Sequence, residues 1–453
     1  MKATRALGRP SSGPETPRGK EIEVEVESLA FGGDGVAHVP RAIFIPGAAP
    51  GDRLRVRIRE DRGTWARAEI VEMIAPSPLR REPPCAFARA CGGCQWQHVT
   101  EETQREAKRR AVQDALRRIG GLRDAIVPPL EEAGPALRYR RRSRFQVRAG
   151  RSAAAIGFHR HRSHQVVDVD QCLQMSEGLA RAYGAIRKAL ARRVPAGIRE
   201  IELAVGSDDT GAVAAFRVAS TTDPDSLAAL GSIARPLVEA HALLGWAALD
   251  PCDRILDAWG EITLAYDFPE GSVPGAPYSL RQRGWAFSQA SWDSNIALVR
   301  AVLAALGDPP PARVVELYAG SGNFTLPLSS LVPDVVAVEA EPDSARALED
   351  NLDQAGRRAR VIAADAQEAL TQVNAADALL LDPPREGAAE VLGGILSLRP
   401  RRIVYVSCHP ATLARDLARL VAQGYRLAAV RALDLFPQTY HVETVVTCVA
   451  EDS

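Results

Sequence analysis

Arg313-Val-Val-Glu-Leu-Tyr-Ala-Gly320-Ser-Gly322-Asn-Phe-Thr-Leu-Pro-Leu328 decides the fold. The apolar run Arg313–Leu317 reads as a buried strand. It ends in Gly320-Ser-Gly322, where residues without Cβ atoms let the backbone approach a ligand closely. A dinucleotide fingerprint would need a third glycine at position 325, where threonine stands, so a nicotinamide cofactor is disfavoured. A helix from Ser291 to Leu306 precedes the strand. Seventeen residues after Gly322, the strand Val335–Val338 runs into Glu339, an acid placed to accept hydrogen bonds from both hydroxyls of a ribose.

Downstream the pattern repeats. Gly-x-Gly followed by such an acid is the arrangement of S-adenosylmethionine (SAM) methyltransferases, so residues 286–453 are expected to form a doubly wound α/β methyl-donor domain. The strand Val361–Ala364 leads to Asp365, a candidate for the adenine edge. The strand Ala378–Leu381 leads to Asp382-Pro-Pro-Arg385, whose carboxylate faces the same crevice. Enzymes that methylate exocyclic amines carry an aromatic residue at position 385, and cytosine-5 RNA methylases carry a cysteine in this motif. Neither is present. The strand Ile403–Val406 leads to Cys408, and Pro410 opens a helix with Thr412 in its first turn. A thiol near a helix N-terminus is expected to have its pKa lowered from the free value of about 8.5, which makes a nucleophile. A buried structural cysteine is the alternative reading.

Upstream, residues 20–79 read as a small OB-like β-barrel. Ile22, Val24 and Val26 alternate with glutamates, and further strands are expected at Ala42–Ile45, Leu54–Ile58 and Trp65–Ile70. The order Gly33-x-Gly35-Val-Ala, Phe44-Ile-Pro-Gly and Gly51-Asp-x-Leu-x-Val resembles the TRAM domain of RNA-modifying enzymes. Residues 80–285 form a central α+β region. It carries Cys85-x5-Cys91-x2-Cys94, with Cys172 after 77 intervening residues. Four thiolates could hold zinc or a [4Fe–4S] cluster, and spacing alone does not decide. Thr100 is placed to cap a helix from Glu101 to about Gly120. Arg138-Tyr-Arg-Arg-Arg-Ser-Arg-Phe-Gln-Val-Arg148 reads as a basic strand suited to phosphate contact and base stacking, with a solvated charged strand as its rival. His159, His161 and His164 read as RNA-facing or solvated.

The 453 residues carry no net charge, but the charge is uneven. Residues 101–165 hold 16 Arg and Lys against 7 Asp and Glu, and residues 330–453 hold 12 against 18. A basic middle beside an acidic end suits a polyanion groove next to a small-molecule site. The chain uses 52 Arg and 4 Lys, so no single arginine cluster is by itself a binding signal. Residues 1–19 are Arg-, Pro- and Ser-rich and read as a disordered tail without a secretory leader. No apolar run is long enough to span a bilayer. Seven cysteines, three of them within ten residues, point to metal and catalysis in a reducing compartment rather than to disulfides. A cytoplasmic monomer is expected.

Asp382-Pro-Pro-Arg-Glu-Gly, Val406-Ser-Cys408-His-Pro, Phe436-Pro-Gln-Thr-x-His-x-Glu443 and Phe287-Ser-Gln289 together resemble the bacterial RNA uracil-5-methyltransferase family over nearly the whole chain. The TRAM barrel with a cysteine cage is similar to its rRNA branch. The resemblance implies SAM contacts from Gln289, Tyr318, Asn323, Glu339 and Asp382, with Gly320, Gly322 and Asp365 lining the same site. It implies Cys408 as nucleophile, Glu443 as general base, and a [4Fe–4S] cluster on Cys85, Cys91, Cys94 and Cys172. The implied partner is RNA, rRNA ahead of the T-loop of tRNA. The rivals are an RNA-binding protein with a vestigial methylase domain and a small-molecule methylase. The chemistry agrees with the residues: uracil C5 is a poor nucleophile until a thiolate adds at C6. The base must also be flipped out of its stack.

Overall fold

The structure is a computed structural model that describes residues 19–148, 154–191 and 194–451. The expected N-terminal tail, up to residue 18, lies outside the described residues. The chain divides into two compact units. One comprises Met1–Arg89, Cys94–Ala111 and Gln438–Tyr440, and the other Ala90–Gly93, Val112–Pro437 and His441–Ser453.

In the first unit, β1 (Glu21–Glu25), β2 (Ser28–Leu29), β3 (Gly35–His38), β4 (Ala42–Ile45), β5 (Arg53–Asp61) and β6 (Trp65–Ala75) form one sheet in the order β1-β5-β6-β4-β3-β2. Period-two alternation puts Val24, Ile43, Ile45, Leu54, Val56 and Ile58 into one core. The opposite positions carry Arg–Glu pairs such as Arg57–Glu21 and Arg55–Glu72. The buried Asp52 carboxylate accepts from Ala49 N (2.6 Å), Ser77 N (2.9 Å) and the Arg80 guanidinium (2.7 Å). These bonds tie the strand ends to the segment leaving the sheet. Helix α1 (Glu101–Arg118) follows, with Thr100 Oγ1 accepting from Thr103 N at 3.3 Å, as a cap should.

In the second unit, the basic stretch is indeed a strand. β8 (Arg142–Arg148), β9 (Ala155–His159), β10 (Val166–Asp168), β11 (Ile198–Val205), β12 (Ala212–Val218), β13 (Gly245–Leu249) and β14 (Ile255–Gly260) form a sheet in the order β10-β9-β8-β11-β12-β13-β14. Here β7 denotes Glu131–Glu132, which joins another sheet. Helices α2 (Glu177–Leu190) and α3 (Pro224–Glu239) cover one face, where Phe145, Ile201, Leu203 and Phe216 meet Leu179, Ile186 and Leu230. On the other face Arg144, Gln146, Arg148, Glu200 and Arg217 alternate with these, while Ala204, Val213, Ala215, Ala247 and Leu249 are buried in a second core with the hairpin that follows.

A hairpin of β15 (Thr263–Phe268) and β16 (Tyr278–Arg283) and helix α4 (Trp292–Ala305), capped by Ser291, lead into the last sheet. Its elements are β17 (Arg313–Leu317), α5 (Thr325–Leu328), β18 (Asp334–Glu339), α6 (Pro342–Gln354), β19 (Arg360–Ala363), α7 (Ala366–Thr371), β20 (Ala378–Leu381), α8 (Leu392–Leu398), β21 (Arg402–Ser407), α9 (Pro410–Val421), β22 (Tyr425–Asp434) and β23 (Glu443–Ala450). Each expected strand is present to within a residue at either end. The order is β19-β18-β17-β20-β21-β23-β22-β7. Strands β17 to β21 are parallel, and β23 runs antiparallel between β21 and β22. The order reverses between β17 and β20. A ligand crevice is expected there, at the carboxyl ends of the strands.

Candidate active site

The parallel strands stop in register. Leu317 pairs with Val338 and with Leu381, and Leu381 pairs with Tyr405. Tyr318, Glu339, Asp382 and Cys408 therefore emerge along one edge of the sheet. Tyr318 takes a left-handed φ of +64°, uncommon for a side chain of its size, and Gly320 and Gly322 follow at +56° and +102°. A Cβ on Gly320 would meet no atom within 4 Å, so the turn faces open space. A Cβ on Gly322 would come 2.5 Å from Leu326 Cδ1 and 2.6 Å from Leu348 Cδ1. The first glycine keeps the crevice clear and the second packs the turn onto the core.

Glu339 is built into this turn. One carboxylate oxygen accepts from Gly320 N at 2.8 Å and the other from Glu341 N at 2.7 Å. Asn323 exchanges two amide bonds with the buried Asn295 of α4, at 2.7 and 2.9 Å. Gln289 is buried just ahead of the α4 cap, beside the largely exposed Phe287. Asp365 is exposed and caps α7, its Oδ1 accepting from Gln367 N and Glu368 N at 2.9 Å each.

Cys408 and Glu443 come together through register. Ser407 pairs with Thr444 across β21 and β23, so the residue after one faces the residue before the other. Burial pushes the Cys408 thiol up to about 11, and Glu443 and Asp382 push the same way. The Arg385 guanidinium, hydrogen-bonded to the thiol, opposes them. This corrects the expectation of a lowered thiol pKa: at this helix N-terminus, burial and two carboxylates outweigh the cation. Glu443 is itself buried and raised well above the usual carboxylate range, by burial and then by Asp382, with Arg385 opposing. Burial pushes the Asp382 carboxyl up to about 7.

The surroundings hold the loop in place. His409 caps α9, its Nδ1 accepting from Thr412 N at 3.3 Å. Thr412 Oγ1 donates to Arg385 O at 3.1 Å, tying α9 to the Asp382-Pro-Pro-Arg385 turn. The buried Asp416 accepts from Tyr405 Oη and from Ala388 N, both at 2.8 Å. Three of the residues around this site are not singled out by the sequence, and a fourth is read there only as an absence. Glu316 lies inside β17, 1% exposed, and is pushed up to about 8 by burial, with the Thr325 hydroxyl opposing and Asp382 and Glu339 adding to the rise. Its Oε2 accepts from Thr325 Oγ1 at 2.7 Å while its buried Oε1 has no partner among the described residues. The signal was an acid in the middle of an apolar strand. Asn295 and Asp416 are polar residues on the buried faces of amphipathic helices. Arg385 had been read only as a missing aromatic.

Cys85, Cys91, Cys94 and Cys172 are half-buried and form no disulfide. Cys85 and Cys94 belong to the first unit, Cys91 and Cys172 to the second. Among the described residues, no group of three or more His, Cys, Asp or Glu side chains is arranged to hold a metal ion. The donor types suit a four-thiolate group.

A sheet of this order, a left-handed glycine turn braced by an acid, and carboxylates at the strand ends define a methyltransferase-type doubly wound domain. The profile of the tRNA (Uracil-5-)-methyltransferase family matches residues 265–450, and that of the TRAM domain matches residues 15–71. The 23S rRNA (uracil(1939)-C(5))-methyltransferase RlmD of Acidithiobacillus ferrooxidans is 35% identical over 93% of this chain and 96% of its own. The protein of the same description from Pseudomonas putida is 34% identical over 95% and 94%. The fold matches the Pyrococcus abyssi tRNA (uracil-54, C5)-methyltransferase, solved with S-adenosyl-L-homocysteine. The TM-score is 0.72 at 21% identity, covering 94% of this chain and 99% of that one. The chain belongs to the RNA uracil-5-methyltransferase family, with an N-terminal TRAM domain. No helix among the described residues is long and apolar enough to cross a membrane.

Proposed function

We propose that this enzyme methylates uracil C5 in RNA, 23S rRNA ahead of tRNA, with SAM as methyl donor, through a covalent Cys408 adduct. The observation that carries the reading is the pairing of Ser407 with Thr444, which sets Cys408 against Glu443 with Asp382 and Arg385 beside them. SAM supplies an electrophilic methyl group, and the Gly320–Gly322 turn, Glu339, Gln289, Tyr318, Asn323 and Asp365 would surround it. Asp382 stands between that pocket and the thiol.

Cys408 gives its proton to water, the Arg385 guanidinium stabilising the thiolate, and the sulfur adds to C6 of the flipped uracil. The electron pair moves to C5 and O4, and C5 takes the methyl group as S-adenosylhomocysteine leaves. Glu443 then removes the C5 proton. The electrons of that C–H bond reform the C5–C6 double bond and expel the thiolate. A raised pKa suits Glu443 to this step, because it is a stronger base than an ordinary carboxylate.

RNA carrying 5-fluorouridine tests the sequence. Fluorine cannot leave as a cation, so the unaltered enzyme should form a SAM-dependent adduct that survives denaturing electrophoresis. Glu443→Gln should accumulate an adduct on ordinary RNA, and Cys408→Ala should form none. Near-normal turnover by Cys408→Ala would end the reading.

Cys85, Cys91, Cys94 and Cys172 are proposed to bind a [4Fe–4S] cluster. Four thiolates and the flanking Gly92-Gly93 support it, as does Gly93 N donating to Cys91 Sγ at 3.4 Å, a bond of the kind that tunes cluster sulfurs. Protein purified without oxygen should carry about four irons per chain. Stoichiometric zinc would exclude the cluster. The reading includes domains at 20–79, 80–285 and 286–453 and a cytoplasmic monomer, which light scattering would check.

A further inference from the structure

We infer that the arginine-bearing part of the β10-β9-β8-β11-β12-β13-β14 sheet face opposite α2 and α3, over β9, β8, β11 and the end of β12, is a second anchoring site for the RNA, gripping its phosphodiester backbone apart from the crevice that takes the base. This rests on the RNA-methyltransferase reading. The face holds a concavity of about 780 Å³ lined by Arg144, Arg148, Arg199, Arg217, His159 and His164, with Glu200 among them. None of its lining residues belongs to the methyl-transfer crevice.

The charge balance on this face has a definite origin. Buried Glu202 accepts from Arg142, Arg144 and Arg217 together, so one carboxylate serves three guanidiniums. Glu200 is shared between Gln146, at 2.7 Å, and Arg144, at 3.7 Å. Arg217 also meets Asp253. Arg148 and Arg199 are exposed and pair with no described carboxylate. The surplus is therefore positive and held at the surface, where charge stays solvated and attracts a polyanion.

Arg199 reaches this face through a backbone irregularity. Ile198 pairs with Val218 and Glu200 with Arg217, so Arg199 is the extra residue of a bulge. Strict alternation would turn either Arg199 or Glu200 into the apolar core beneath. The bulge aims both at the arginine-bearing face while Ile198 and Ile201 stay buried against the helices. His159 and His164 stand with ring centroids 5.7 Å apart at the other side of the concavity and present flat surfaces and N–H groups. Two cations without a described carboxylate, side by side on β8 and β11, with planar side chains at the far side, suit a nucleic-acid strand better than a small anion, which needs convergent donors around one point.

The test uses the full chain with Arg148→Glu, Arg199→Glu and the double variant, against Arg148→Lys/Arg199→Lys. Binding is read by fluorescence anisotropy on a polyuridylate 12-mer and on an unmodified 23S rRNA transcript over a salt series. The double Glu variant should bind about tenfold or more weakly at low salt. It should lose about 1.4 from its log K against log salt slope on the 12-mer, two contacts at about 0.7 each. SAM affinity and turnover at saturating RNA should not change, and the Lys variant should keep both affinity and slope. An unchanged slope in the double Glu variant overturns the inference. So does uridine monophosphate binding that the variant abolishes while RNA binding is intact, which would make the concavity a nucleotide pocket. If the unaltered protein binds the transcript yet transfers no methyl group, the enzymatic reading fails and the slope still decides this one.

Discussion

The two sheets of the second unit handle charge in opposite ways. The sheet that ends in the glycine turn gathers acids and buries them: Glu316 and Glu443 are 1% and 3% exposed, and both are raised out of the usual carboxylate range. The other sheet gathers arginines and leaves two of them at the surface without a carboxylate partner among the described residues. A buried charge answers to burial by changing its protonation, whereas an exposed one keeps its charge and acts through a field that salt screens. Chemistry that moves protons belongs to the first kind of region, and capture of a long polyanion to the second.

The comparison breaks most readily at Cys408. If burial governs its thiol, alkylation by iodoacetamide should climb about tenfold per pH unit from pH 7 to 10, since only the thiolate reacts and half-ionisation lies at about 11. Exposed Cys252 serves as internal control in peptide mapping. A rate that levels off below pH 8 would restore the helix dipole as the dominant influence. Arg385→Gln should slow the alkylation further.

A smaller effect is expected at Glu339. Glu339→Ala should weaken SAM binding by on the order of 1.5–3 kcal/mol, the range for hydrogen bonds to a charged group. It also frees Gly320 N, so Glu339→Gln should recover part of the loss. Equal affinity for all three proteins by calorimetry would move the methyl-donor pocket elsewhere.

The last effect concerns stability. Glu316 has a folded pKa of about 8 against an ordinary 4.5, so its destabilising ionisation is absent in acid and grows as pH rises toward 8. From pH 6 to pH 9 this amounts to on the order of 2–3 kcal/mol. Glu316→Gln keeps an acceptor for Thr325 and should flatten the fall in melting temperature over that range. An identical fall in both proteins would show that the carboxyl ionises without cost.

Much of this architecture was legible because it obeys short periods. The apolar runs at Arg313–Leu317 and Ala378–Leu381 are bounded by glycine, proline and acid, and those boundaries are where the strands end. Cys408 and Glu443 were found through the stretches around them, but their facing positions follow from a register between strands far apart in sequence. The direction of the thiol's shift was not legible either. It depends on how deeply the strand end is covered and on two carboxylates brought in by β20 and β23. The Arg199 bulge left no trace in a run that alternates imperfectly, and Asn295 looked like one more helix residue until Asn323 faced it.

Strand β23 follows β22 in the chain yet lies between β22 and β21. It pairs on both sides, with its neighbour in the chain β22 and with the more distant β21 beside Cys408. Such non-local closure is slow to form, because loop entropy is lost before the hydrogen bonds are gained. A chain short of that pairing would present the Cys408 thiol without Glu443 opposite. It could add to a uracil and have no residue to release it. In the proposed mechanism, pairing β23 onto β21 is therefore also the step that lets the protein release its product.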